Sequence, residues 1–158
     1  MVINVVQLKY QRFGVEQTNF QILHTENCCD DFKDLLTAGQ IIPVKYETTI
    51  GYSNNEKNVQ KKTSLKLALN FDGEKQDGNN VFIINSCPFC KEDIIIKIKE
   101  TKDVSGEVYE LQQKVKYLLN KEKVAPTKEQ KEIAEEITKI NNELSKYYYI
   151  SNIEEGTV

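Results

Sequence analysis

Asn85-Ser86-Cys87-Pro88-Phe89-Cys90-Lys91 is the stretch on which the fold turns. A Cys-x-x-Cys pair in a tight turn brings two sulfurs to one face, where the backbone amides after the first cysteine can donate to them. Val81-Phe82-Ile83-Ile84-Asn85 leads into it, and Ile94, Ile96 and Ile98 follow at period two. Both flanks read as strands, so the pair occupies a turn between strands. The other two cysteines are adjacent, in His24-Thr25-Glu26-Asn27-Cys28-Cys29-Asp30-Asp31-Phe32. These four are the only cysteines among 158 residues, and two short thiol clusters read as one metal site. Four thiolates from Cys28, Cys29, Cys87 and Cys90 fill a tetrahedral zinc shell and leave no position for water, which makes the site structural. Adjacent cysteines on one ion are less usual than Cys-x-x-Cys. A second ligand set therefore stands beside the first: His24 with one of Cys28 or Cys29, plus Cys87 and Cys90.

Around the first pair, Asn27 is a good N-cap, and Asp30 and Asp31 suit the positive end of a helix. Phe32, Leu35 and Leu36 are spaced for one helical face, and Gly39 ends it. The expectation is a short helix over 28–38 with both cysteines in its first turn, where free amides favour thiolate over thiol. Upstream, residues 2–10 and 15–24 read as strands around a turn at Gly14, with Phe20, Ile22 and His24 on one face. Downstream, 43–52 alternates Val44, Tyr46, Thr48, Ile50 and Tyr52 against Lys45, Glu47 and Thr49. Residues 53–62 read as a polar loop. Leu65, Leu67, Leu69 and Phe71 then form another alternating strand, and 72–80 is a turn rich in Gly, Asp and Asn. The strands together read as an antiparallel meander with a metal turn in it.

The pattern from Cys28-Cys29-Asp30-Asp31-Phe32 through Gly39 to Cys87-Pro88-Phe89-Cys90 resembles that of small phage and bacterial proteins of largely uncharacterised function. In these a Cys-Cys pair opens a short helix that ends near Gly, strands follow, and a Cys-Pro-Phe-Cys knuckle closes the motif. The resemblance covers roughly residues 24–98 and implies a zinc-ribbon-like module. Lys91 departs from it, because such knuckles favour Gly after the second cysteine.

Beyond the strands, Ser105 opens a helical pattern with Val108, Leu111, Val115, Leu118 and Leu119, broken at Ala125-Pro126-Thr127. Thr127 reads as an N-cap with Gln130 in the capping-box position. Ile133, Ile137, Ile140, Leu144 and Tyr148 mark a second helix. Two such helices with a short connector form an antiparallel hairpin, with helices roughly 27 and 33 Å long at the usual rise per residue. The expected architecture is α+β: a zinc-ribbon-like domain over 1–100 with an antiparallel sheet, a helical hairpin over 103–150 and a loose polar tail over 151–158.

Composition narrows the function. Apolar residues are 39% of the chain and Trp is absent, so the core is small. The net charge of -3 lacks the basic excess of a phosphate-binding protein. Lys57, Lys61, Lys62 and Lys66 form the only basic cluster, and the first three are candidate phosphate contacts. A single histidine excludes a multi-histidine metal centre. Asp30 and Asp31 serve the helix start, and the acidic turn over 72–78 lacks the spacing of an EF-hand. No signal peptide or membrane span is read, which points to the cytoplasm, where clustered cysteines bind metal more often than they form disulfides. Tyr109, Tyr117, Tyr147, Tyr148 and Tyr149 make the hairpin the most partner-ready surface. The sequence therefore points to a non-enzymatic, zinc-stabilised protein-binding protein, with an inhibitor of a host defence nuclease (an anti-CRISPR-like role) as its specific form. The alternatives are a nucleic-acid-binding zinc-ribbon accessory protein and a dithiol oxidoreductase acting through Cys87 and Cys90.

Overall fold

A computed structural model describes residues 1–50, 60–70 and 81–152. Lys57, Tyr52, Phe71, the turn over 72–80 and the last six residues of the expected tail lie outside these. The described elements run β1 (Val2–Arg12), β2 (Val15–Glu26), α1 (Asp30–Thr37), β3 (Ile41–Ile50), β4 (Gln60–Asn70), β5 (Val81–Ile84), β6 (Ile95–Asp103), α2 (Ser105–Val124), α3 (Thr127–Tyr148) and β7 (Ser151–Asn152). The class is α+β, as the periodicities indicate. No described helix is long and apolar enough to cross a membrane.

The strands form two sheets. One has the order β3-β4-β5 and the other β6-β1-β2-β7. The meander therefore ends at β5. Asn85 still accepts from the Ile94 N–H at 2.9 Å, and Ser86 bridges Asp93, but β6 then pairs with β1. The Ile95 N–H donates to the Met1 carbonyl at 3.0 Å and the Val104 N–H to the Lys9 carbonyl at 2.8 Å. Both chains ascend together, so β6 runs parallel to β1 in a fold that is otherwise antiparallel-rich.

By proximity the chain falls into two compact units, Met1–Val5 with Ile22–Ile98, and Val6–Gln21 with Lys99–Val158. Residues 6–21 thus group with the hairpin. In the first unit, β3 pairs with β4 in a register that places Ile41 opposite Leu69, Pro43 opposite Leu67 and Lys45 opposite Leu65. Directly opposed residues share a face, so the buried Leu65 and Leu67 share theirs with Ile41, Pro43 and Lys45. The alternation of Val44, Tyr46 and Thr48 lies on the other face, and Tyr46 is exposed. Pro43 is tolerated because β3 is an edge strand that need not donate outward. The expected loop is shorter than 53–62, since β4 already begins at Gln60.

Helix α1 ends in a Schellman motif. The Gly39 N–H donates to Leu36 at 3.2 Å and the Gln40 N–H to Leu35 at 3.0 Å, with Gly39 at φ 72°. That left-handed conformation suits glycine and turns the chain into the buried Ile41. Phe32 alone among the helix's residues is buried.

In the second unit, Phe13 and Gly14 both have positive φ, 51° and 74°. They make the two-residue turn between β1 and β2, and its primed geometry matches strand twist. Val108 and Leu118 of α2 and Ile133, Ile140 and Leu144 of α3 are buried. Two terminal details differ from expectation. The N-cap of α3 is Pro126, and Thr127 is the first helical residue. Gln130, instead of closing a capping box, donates to the Ala125 carbonyl at 3.0 Å and the Glu122 carbonyl at 3.4 Å. It thereby serves the end of α2, whose carbonyls lack helical partners. The buried Asn19 donates to the Tyr149 carbonyl at 2.6 Å and the Lys146 carbonyl at 3.5 Å, closing the end of α3. The chain after Tyr149 is not wholly loose, because Ser151–Asn152 forms β7 beside β2.

Candidate metal centre

Cys28 and Cys29 stand before α1, not in its first turn. Cys29 is the N-cap residue, with extended backbone at φ -159° and ψ 162°, and its carbonyl accepts the Lys33 N–H at 3.3 Å. The Phe32 amide faces its sulfur and favours the thiolate, though the contact falls short of a capping hydrogen bond. Asn27, the expected cap, lies two residues upstream of it. The second pair sits in a knuckle. The Cys87 N–H donates to the Glu92 carbonyl at 2.8 Å, and the Lys91 N–H donates back to the Cys87 carbonyl at 3.1 Å. Closing so tight a turn puts Lys91 at φ 65°, the left-handed region where glycine is normally preferred. The Lys91 ammonium donates to the Pro88 carbonyl at 2.7 Å, which ties the side chain across the turn.

These two segments bring all four sulfurs within 4.8 Å of one another. Cys28 and Cys29 are 4.0 Å apart and Cys29 and Cys87 are 3.7 Å apart. A tetrahedral zinc with Zn–S near 2.3 Å separates its sulfurs by about 3.8 Å, so the spacing fits an ion at the centre. The cysteines are all free thiols, and their separations far exceed the roughly 2.05 Å of a disulfide. Cys87 is buried, Cys28 and Cys29 are half-buried and Cys90 is exposed. His24 is exposed and is not a member of the four-residue group.

The thiols differ in readiness to ionise. Burial pushes Cys28 up to about 12, reinforced by hydrogen bonding with Cys90, Cys87 and Cys29. At Cys29 the Phe32 amide favours the thiolate, but burial and the neighbouring Cys87 outweigh it and the thiol is raised. Burial also opposes ionisation of Cys87. There, however, the Cys90 and Phe89 amides and the Cys28 and Cys90 thiols together win, and Cys87 falls to about 7. In a metal-free cluster Cys87 is thus readier to ionise than Cys28 and Cys29, which hold their protons. A cation entering it displaces those protons.

One positive group near the cluster has no signature in residue spacing. The Met1 amino group donates to Glu92 Oε1 at 2.6 Å and to the Asp93 carbonyl at 3.1 Å. The bond to Glu92 raises its pKa against the cost of burial, and the charge of the Glu92 carboxylate raises it further. Nothing in the periodicity of residues 1–10 indicates that the amine meets the knuckle, because the pairing of β6 with β1 puts it there.

The remaining predicted residues scatter. Lys61 and Lys62 are consecutive in β4 and point to opposite faces, so they do not form one phosphate patch. Tyr109, Tyr117 and Tyr149 are exposed, and Tyr147 is half-buried. Tyr148 belongs to the second unit's interior: its hydroxyl accepts from Gln112 at 2.8 Å, its ring lies 5.6 Å from that of Tyr10, and the Arg12 guanidinium sits 4.4 Å above it. No protein-family profile, curated protein or solved structure matches the chain.

Proposed function

We propose that Cys28, Cys29, Cys87 and Cys90 hold one structural zinc ion, and that the chain is a non-enzymatic, zinc-stabilised protein-binding protein. The observation that carries the metal reading is the convergence of four free thiols within 4.8 Å. Four sulfurs at near-tetrahedral spacing suit zinc, whose shell then has no open position for substrate or water. A dithiol oxidoreductase needs an accessible attacking thiolate, whereas Cys87, whose thiol is the one held below its ordinary value, is buried. The binding part of the reading rests on the exposed tyrosines of α2, since exposed aromatic side chains anchor many protein interfaces.

Elemental analysis of the purified chain with thiol titration tests the metal reading. One zinc per chain is expected, with the thiols protected until a chelator is added. A chain free of metal with four reactive thiols in the folded state would overturn it.

A further inference from the structure

The four sulfurs of the cluster differ in access. Cys90 is exposed, Cys28 and Cys29 are half-buried and Cys87 is buried. A small oxidant from solvent therefore meets Cys90 first. Zinc holds its sulfur ligands as thiolates, the form that reacts with oxidants. A second sulfur stands ready behind the first. Cys87 belongs to the same turn, and its sulfur lies within 4.8 Å of that of Cys90. The turn is already closed by the Cys87 N–H on the Glu92 carbonyl at 2.8 Å and the Lys91 N–H on the Cys87 carbonyl at 3.1 Å. Cys87 is thus the partner that Cys90 can reach without a second segment moving. An accessible thiolate beside a resolving cysteine is the arrangement of a redox sensor.

We propose that the zinc site is a peroxide-sensitive latch, in which oxidation of Cys90 and bridging to Cys87 release the ion and free the start of α1. In the first step the Cys90 thiolate attacks one oxygen of hydrogen peroxide. The O–O bond breaks, hydroxide leaves and Cys90 becomes a sulfenic acid. In the second step the Cys87 thiolate attacks the Cys90 sulfur. The S–S bond forms, the S–O bond breaks and a second hydroxide leaves. The two sulfurs give up two electrons between them, and one peroxide takes both. Only Cys28 and Cys29 then remain for zinc. At about 10²- to 10³-fold in affinity for each sulfur, losing two weakens binding by about 10⁴-fold or more. The ion departs, and two protons take its place on Cys28 and Cys29. The output is α1. Cys29 is its N-cap without a side-chain capping bond, and Phe32 is its one buried residue, so so short a helix depends on restraint from outside. The change is stoichiometric and is undone by a thiol reductant and fresh zinc.

This inference rests on the zinc reading and adds regulation to the same site. Treating the full zinc-loaded chain with a small excess of hydrogen peroxide tests it. Zinc release is read with a chromophoric chelator too weak to strip the untreated chain, the disulfide by peptide mapping, and α1 by hydrogen exchange. One zinc freed per chain, a Cys87–Cys90 bridge and exchange over Asp30–Thr37 faster by about 10-fold or more are expected. A sulfenic-acid trap applied to the parent should label Cys90 before any other cysteine, whether or not Cys90→Ser still folds and loads zinc. A chain that keeps its zinc while free cysteine is fully oxidised overturns the latch and leaves the metal reading intact. A first label or a bridge elsewhere overturns the assigned pair, and unchanged exchange over α1 overturns the output. A chain without zinc before oxidation overturns the metal reading and the latch with it.

Discussion

Cys90→Ser is the cleanest perturbation of the thiol cluster, because Cys90 is the exposed member. Its replacement removes a sulfur without opening a hole in the interior, whereas Cys87→Ser would also place a hydroxyl in a buried site. Structural zinc sites contribute about 10–16 kcal/mol of binding near neutral pH. Shared among four ligands, this is roughly 2.5–4 kcal/mol for each sulfur, so losing one weakens zinc binding about 10²- to 10³-fold. Competition with a chromophoric chelator measures the change directly. His24→Ala is the companion variant. The imidazole is exposed and outside the sulfur group, so its removal should leave the affinity within about 3-fold of the parent, less than half a decade. The four-cysteine assignment fails if Cys90→Ser holds zinc as tightly as the parent. Equal weakening by His24→Ala would reinstate the mixed ligand set.

Three further outcomes follow from packing and backbone geometry. Phe32→Ala removes the one buried side chain of α1 and should cost about 3–5 kcal/mol in urea unfolding; a loss under 1 kcal/mol would mean that the helix does not depend on that contact. Asn19→Asp sets a buried carboxylate against the carbonyls of Lys146 and Tyr149, where no donor among the described residues faces it. Burial favours the neutral acid and raises its pKa, so the penalty is full at high pH and shrinks as pH falls through that raised value; thermal melts of the variant against the parent at several pH values would show it, and a penalty constant with pH would contradict it. Lys91→Gly should be more stable than Lys91→Ala by about 0.5–1 kcal/mol, because both lose the lysine contact but only Gly is at ease at φ 65°; equal unfolding midpoints would remove the case for strain at the knuckle.

The elements legible in the sequence were those whose pattern is local. A run rich in Val and Ile marked β1, alternation marked β2, the spacing of Ile133, Ile140 and Leu144 marked α3, and four cysteines in two clusters marked the candidate site. What the sequence hid depends on partners far along the chain. Ile94, Ile96 and Ile98 read as one more meander strand because a knuckle reverses the chain like any hairpin turn. Only three residues on each side, 85–87 and 92–94, stay paired before β6 joins β1, and strand partnership of that kind leaves no local trace. The orientation of β3 was hidden for a related reason. Alternation shows that two faces differ, but the register opposite β4 decides which one shares the buried Leu65 and Leu67. The displacement of the cysteine pair from the first turn of α1 is smaller and more local: an adjacent Asn and two Asp make several residues look like equally good caps.

Cys29 as N-cap changes how the metal would act. A helix of eight residues with one buried side chain is too short to be stable by itself. At its C-terminal end Gly39 and Gln40 satisfy the last carbonyls. At its N-terminal end no side chain makes a capping hydrogen bond, although Asp30 and Asp31 favour the dipole there. Zinc bound at Cys28 and Cys29 would fix the two residues that enter the helix and join them covalently, through sulfur, to the knuckle that carries Cys87. The ion would then supply at the start of α1 the restraint that a hydroxyl or carboxylate cap supplies elsewhere. It would do so across 58 residues of chain, where loop closure is costly without a strong link. That would be a scaffold role, in which an ion with a full shell of sulfur supports the fold from between two segments of the chain.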